Sequence, residues 1–374
     1  MALGSTVSKF AYPIVRPHIP GPAEWLPFLK ESYRQHWFSN FGPVATRLEA
    51  GLAETFGAAG EAFVATASAT AGLAACLIAE GITGPVLLPA FTFPATATAI
   101  RMAGAEAVLV DVDAASGVCD LFALEQALDR TEAKAAILVA PFGIAQDFSF
   151  HVALCESRGA ITIIDNAAGL GGRQASHGAA YEVYSLHATK PFAVGEGGAI
   201  RTNKSRVAGL RAAINFGLPW DGGASGRWGI NGKMPDVSAA IGLAVLREYD
   251  AIVHARREQA AAYVELFDRF GDIAFHRVLD DAPWQVFPCL MPNAAATAQF
   301  VEDAAERGLE VRRYYRPSLD EWGGIKSASN CPVSRILAER MACLPIYTRG
   351  NATEIAEIHR IIESCLARSS KLAA

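Results

Sequence analysis

Short apolar runs recur along the first 200 residues, at 62–65, 86–88, 107–110, 136–140, 161–164, 181–186 and 199–201. Their length and punctuation read as strands. Helical patterns lie between most of them, at 70–80, 95–102, 121–128 and 151–158. A further one at 46–56 spaces Leu48, Leu52 and Phe56 by four. Strands that are apolar throughout, alternating with helices, predict an α/β domain whose mainly parallel sheet is covered on both faces. Sites in such folds lie beyond the carboxyl ends of the strands.

The flanking parts read differently. Residues 1–44 hold Pro13, Pro17, Pro20, Pro22 and Pro27, an amphipathic piece at 24–35, and a turn-rich aromatic stretch at 37–43. A long helix is predicted over 235–270, with Val237, Ile241, Val245 and Tyr249 on its first apolar face. Beyond it, strand-like 285–290 and 309–315, helix-like 295–307 and a closing helix at 352–367 after Asn351, a candidate N-cap, predict a smaller α+β domain. The expected division is an N-terminal segment 1–44, a large domain 45–250 and a small domain 251–374. The stretch 317–332, with Gly323, Gly324 and Asn330, is expected to be a mobile loop.

A length of 374 residues agrees with two domains or slightly more. Half the residues are apolar, the net charge is −5, and no lysine or arginine run occurs. That argues against nucleic acid or an anionic membrane as the main partner. Seven cysteines are scattered singly without a CxxC pair, so neither a disulfide framework nor a metal site is expected. No signal-peptide pattern opens the chain and no apolar stretch reaches spanning length, so a soluble cytoplasmic protein is expected.

The chemistry gathers around Tyr184-Ser185-Leu186-His187-Ala188-Thr189-Lys190 and the turn from Gly195 to Gly198. A lysine at a strand end in apolar company loses ammonium hydration. Its pKa falls, as Schiff-base formation requires. Upstream, the strand 161–164 ends in Asp165, followed by Asn166, Ala167, Ala168 and Gly169. A carboxylate and an amine delivered by neighbouring strands suit pyridoxal phosphate: the lysine holds the aldehyde and the acid keeps the pyridine nitrogen protonated. A small-residue turn at 65–73 opens a helix near Thr70, where unbonded N–H groups and the Ser68 or Thr70 hydroxyl can take a phosphate. Phe93, after a strand, can stack on a planar ring. Each piece alone has a structural reading: a loop lysine, a helix cap, a core aromatic. Their order along successive strand ends is what points to a site.

These motifs resemble those of the DegT/StrS-type sugar aminotransferases, which have the aspartate-aminotransferase fold type I. The likeness runs from Asn40-Phe41-Gly42-Pro43 to Leu344-Pro345-Ile346. Its most specific part is Ser185-Leu186-His187-Ala188-Thr189-Lys190 with Gly195-Glu196-Gly197-Gly198. The resemblance implies that Lys190 is the Schiff-base lysine and general acid/base, and that Ser185 binds the phosphate. It implies that Asp165 meets the pyridine nitrogen, that Phe93 stacks on the ring, and that Ala69, Thr70 and Ala71 form the phosphate turn. The segment from Asn231 to Met234 is similar to one whose asparagine reaches the cofactor of the neighbouring subunit, which implies a homodimer with shared sites. Three positions depart from the family pattern. Ala168 stands where Gln or His contacts the ring hydroxyl, Pro191 follows the lysine where Asn is common, and Lys233 replaces an Arg.

The function implied is transfer of an amino group from glutamate or glutamine to a keto-sugar, most simply a nucleotide-linked one. Arg312 to Arg316 form a basic–aromatic cluster that suits a diphosphate or carboxylate or, equally, an ordinary strand. Within it Arg313 and Tyr315 are candidate substrate residues. His187 is a further candidate substrate residue, read more simply as a neighbour that orients the lysine loop. The alternatives are a pyridoxamine-dependent sugar dehydratase, which Lys190 disfavours, a non-catalytic regulatory protein of the same fold, and a fold type I enzyme acting on amino acids alone.

Overall fold

The computed structural model describes residues 10–173, 178–219, 226–271 and 273–369. The first nine residues, which bear on the expected lack of a leader, lie outside them. Among the described residues no helix is long and apolar enough to cross a membrane.

Ten strands form. They are β1 (Glu61–Thr66), β2 (Pro85–Pro89), β3 (Glu106–Val110), β4 (Ala135–Val139), β5 (Ile161–Asp165), β6 (Tyr181–Ser185), β7 (Gly198–Asn203), β8 (Val286–Leu290), β9 (Lys326–Ser327) and β10 (Met341–Pro345). The helices are α1 (Pro22–Trp25), α2 (Lys30–Gln35), α3 (Pro43–Phe56), α4 (Ala69–Glu80), α5 (Pro94–Met102), α6 (Leu121–Thr131), α7 (Ser149–Ser157), α8 (Val207–Ala213), α9 (Asp236–Phe267), α10 (Ala294–Glu306), α11 (Pro332–Arg340) and α12 (Ala352–Ser369).

The main sheet has the order β1-β7-β6-β5-β4-β2-β3-β9. Strands β9, β3, β2, β4, β5 and β6 run parallel, and β7 pairs antiparallel with both β6 and β1. The α/β fold expected from the apolar runs is therefore present. Strand order reverses between β2 and β4, so a crevice opens over the carboxyl ends of those strands. On one face α4 lays Leu73, Ala74 and Leu77 against Val64, Val183 and Ile200, all buried. On the other, α6 and α7 cover Leu87, Val108 and Leu138.

Helix α9 is shared by two apolar clusters. Ala239 to Val253 pack with Leu48, Leu52, Phe63 and Tyr184. Ala260, Tyr263, Leu266 and Phe267 pack with Trp284, Phe287, Cys343 and Ile362. At the start of α9 the buried Asp236 carboxylate accepts from Ser32 Oγ (2.6 Å), Val44 N–H (3.2 Å) and Ala45 N–H (3.0 Å). It thereby caps α3 as well as favouring the N-terminus of its own helix. Gly42 makes room for it: a Cβ there would stand 2.6 Å from both carboxylate oxygens.

The N-terminal segment docks on the C-terminal cluster. Ile14 is fully buried within it, Arg16 Nη2 pairs with Glu354 Oε1 (2.6 Å), and Tyr12 bridges Leu309.

Two expectations for the C-terminal part are corrected. Residues 309–315 form no strand, only isolated bridges from Leu309 to Tyr12 and from Arg312 to Cys343. The strand that pairs with β8 is instead β10, and α11 precedes it. The stretch 317–332 is docked rather than loose. Leu319 N–H donates to the Ala90 carbonyl (3.0 Å), Ser318, Leu319 and Cys331 are buried, and β9 extends the main sheet beside β3. Asn351 does cap α12, its Oδ1 accepting from Glu354 N–H at 2.8 Å.

Candidate active site

A cleft of about 490 Å³ lies over the carboxyl ends of β2, β4, β5 and β6. Asp165, the last residue of β5, closes its floor. Its Oδ2 accepts from Thr96 Oγ1 (2.7 Å), which is linked to Thr92 Oγ1 (3.1 Å), and its Oδ1 accepts from Ala167 N–H (3.3 Å). Burial pushes the Asp165 carboxyl up. The Thr96 bond, the Lys190 charge and the Ala167 N–H oppose it in that order.

Lys190 is half-buried in the same cleft and follows β6 by a short turn. Burial lowers its ammonium to about 8, against the pull of Asp165. A far larger fraction of the amine than in an ordinary lysine is therefore unprotonated near neutral pH, the form that attacks a carbonyl. Lys190 Nζ donates to Gln285 Oε1 at 2.8 Å. His187 shapes the turn: its Nδ1 accepts from Thr189 N–H (3.2 Å), which leaves the ring proton on Nε2, 3.6 Å from Glu196 Oε1.

The phosphate-type end is the start of α4. Ser68 is the N-cap, and its Oγ accepts from Ala71 N–H at 3.1 Å. The N–H groups of Ala69 and Thr70 precede any intrahelical bond, and both residues line the cleft with Ser185. Ala71 does not line it, and its N–H is taken by the Ser68 cap. Phe93 caps α5 and is 56% exposed, with its ring at the cleft.

The opposite wall is small and apolar, with Ala140, Gly143, Ala167 and Ala168. Gly143 has φ +76°, and a Cβ on it would lie 2.3 Å from the Ala168 carbonyl carbon. Tyr315 closes the cleft from the C-terminal part, its ring stacked on Phe142 (5.5 Å between centroids, 4° between planes).

Two expected residues stand elsewhere. Arg313 turns out of the cleft: Nη2 pairs with Glu339 Oε2 (2.5 Å) and donates to the Glu339 carbonyl (2.7 Å). Its neighbour Arg312 lines the cleft instead, donating to Glu310 Oε1 (2.8 Å) and to the Tyr314 hydroxyl (3.0 Å). Asn231 is exposed and outside the cleft of its own chain, its Oδ1 accepting from Lys233 Nζ at 2.8 Å. Gln285 and Thr96 are the polar groups that sequence reasoning missed. Neither sits in a motif, and only their distant partners reveal them.

The donor set matches pyridoxal 5′-phosphate end to end. Helix N–H groups suit the phosphate, an open aromatic face the ring, a buried carboxylate the pyridine nitrogen and an unprotonated amine the aldehyde. Fold and site together define a pyridoxal phosphate-dependent enzyme of the aminotransferase class. The chain belongs to the DegT/DnrJ/EryC1/StrS aminotransferase family, whose sequence profile matches residues 23–364. It is 28% identical to protein Rv3402c of Mycobacterium tuberculosis, over 98% of this chain and 92% of that one. It is 27% identical to the Escherichia coli dTDP-4-amino-4,6-dideoxy-D-glucose transaminase, over 94% of this chain and 97% of the relative. Among solved structures it resembles DesI, determined in the presence of its TDP-sugar product. The TM-score is 0.86 at 28% identity, covering 96% of this chain and 94% of DesI.

Proposed function

We propose that the enzyme moves an amino group from glutamate or glutamine onto the keto carbon of a nucleotide-linked sugar. The observation that carries this reading is the meeting of the Lys190 amine and the Asp165 carboxylate in one cleft with small and aromatic walls. The likeness to a dTDP-sugar transaminase and to DesI supports the sugar class. Small walls at Ala167, Ala168 and Gly143 leave space for a bulky acceptor.

When bound, pyridoxal 5′-phosphate draws electrons from the carbon that bears the amino group and makes its proton acidic. Lys190 Nζ takes that proton from the donor and returns one to the sugar carbon in the second half of the cycle. Asp165 keeps the pyridine nitrogen protonated. The Ala69 and Thr70 N–H groups and the Ser185 hydroxyl bind the phosphate, and Phe93 holds the ring from one face.

The active unit in this reading is a homodimer in the cytoplasm. Phe216, Leu218, Trp228 and Val237 are exposed apolar residues around Asn231 and Lys233, and a second copy is the partner that would cover them. Asn231 would then reach the partner's phosphate site. All seven cysteines are buried thiols, in keeping with a reducing compartment.

The test is incubation of cofactor-loaded protein with ¹⁵N-labelled glutamate or glutamine and a panel of dTDP- and UDP-linked keto-sugars. A labelled amino sugar identified by mass spectrometry is expected. Transfer to small keto acids alone would overturn the sugar assignment.

A further inference from the structure

Pyridoxal phosphate carries a phenolic oxygen on the ring carbon next to the one that bears the aldehyde. A nitrogen joined to the aldehyde carbon therefore sits beside that oxygen, and a group that touches the nitrogen is within reach of both. In this protein that group is Gln285. Its Oε1 accepts from Lys190 Nζ at 2.8 Å. The other end of the same amide is poorly used: among the described residues Nε2 has only Thr189 Oγ1 as an acceptor, at 3.5 Å, the outer limit of a hydrogen bond. The amide is half-buried and lines the cleft beside Lys190, so this N–H is free to serve a group bound there.

We propose that Gln285, through Nε2–H, is the hydrogen-bond donor to the phenolic oxygen of the bound cofactor. The inference rests on the reading of Lys190 as the cofactor lysine.

The rest of the cleft leaves this task open. Ala167, Ala168 and Gly143 have no side-chain donor. The Asn166 amide donates to Glu182 Oε1 at 2.8 Å, and Asn166 does not line the cleft. The Thr189 hydroxyl is engaged with His187 Nδ1 at 2.9 Å. Tyr315 is a rival, since its hydroxyl accepts from the Phe142 N–H and still has a proton to give.

The donor matters because a negatively charged oxygen is stabilised by it. The stabilisation is greatest once the neighbouring nitrogen has lost its proton and the oxygen bears its full charge. Removing the donor must therefore raise the pH at which that nitrogen deprotonates. Gln285 in this account is a positioning and tuning residue, on the C-terminal side of the cleft, for chemistry centred on the strand ends opposite.

The experiment is a pH titration of the visible absorption of the pyridoxal phosphate-loaded protein without substrate. Wild type, Gln285→Met, Gln285→His and Tyr315→Phe are compared. Methionine keeps the length and removes the N–H together with the Oε1 that accepts from Nζ. The lost donor to the charged oxygen raises the midpoint and the lost acceptor offsets part of that, so a net rise of up to about one pH unit is expected. Histidine restores a ring N–H and should bring the midpoint back toward wild type, and Tyr315→Phe should leave it in place. An unchanged midpoint in Gln285→Met, or the full shift in Tyr315→Phe alone, would overturn the proposal. So would a folded Gln285→Met protein that holds no cofactor, since that marks a role in binding. If wild type itself develops no visible band, it is the Lys190 reading that fails.

Discussion

The Thr96 hydroxyl donates to Asp165 Oδ2 at 2.7 Å across 69 residues of chain, and it is the strongest influence that holds the carboxyl down against its burial. Thr96→Val removes that bond with little change of shape. Asp165 is then less readily ionised and supports the protonated pyridine nitrogen less well. We expect kcat for amino transfer to fall about 5- to 30-fold, as for the loss of one bond to a charged group of about 1–2 kcal/mol, with KM for the donor little changed. A KM effect without a kcat effect would place Thr96 outside the chemistry.

Lys190 makes a pH prediction with a definite sign. Its ammonium is lowered by burial from the ordinary 10.5 to about 8. The rate at which cofactor-free protein captures pyridoxal phosphate should rise through about pH 8 and level off above it. Between about 8 and 10.5 the unfolded chain binds a proton here that the folded one does not, so stability from this group rises with pH across that window. Cofactor-free Lys190→Met should lack that rise in thermal melts, and it should develop no visible band with the cofactor.

The packing of Gly42 against Asp236 predicts a purely steric defect. Gly42→Ala places a methyl 2.6 Å from a carboxylate that caps α3 and holds Ser32. The cost should be about 1–3 kcal/mol, read as a lower urea midpoint with an unchanged slope. An Asp236→Ala variant, which leaves the same donors unpaired, should lose at least as much.

The two adjacent arginines should separate cleanly. Arg312→Ala is expected to raise KM for the sugar substrate several-fold with kcat little altered. Arg313→Ala should leave both constants near wild type and lower stability by at most about 1 kcal/mol, through the lost Glu339 pair. The reverse pattern in steady-state kinetics would mean the cleft is lined otherwise when substrate is present.

That pair also shows where sequence reasoning reaches and where it stops. The main sheet was legible because strands buried on both faces are apolar throughout, and Asp165 and Lys190 stood out as polar residues at the ends of such runs. Arg313 was preferred to Arg312 with no way of knowing which side of the chain faced the cleft. In extended backbone a one-residue step reverses that choice. Gln285 reads as the ordinary first residue of an expected strand, since its partner lies 95 positions away. Strand β9 is two residues long, too short to leave a periodic signal, and only its pairing with β3 defines it. Ala71 belongs to a turn that was read correctly, but the Ser68 cap takes its N–H, a detail of local bonding that spacing does not carry.

The docking of residues 12–16 has a consequence for how the chain is made. Ile14 lies in a cluster built from residues as late as Leu366, and Arg16 pairs with Glu354. The first part of the described chain to leave the ribosome therefore waits for partners made 296 to 338 positions later, Glu310, Tyr347 and Glu354. The N-terminal seam closes in stages as these emerge, and a chain truncated before α12 keeps the Tyr12–Leu309 bridge but lacks the Arg16–Glu354 pair.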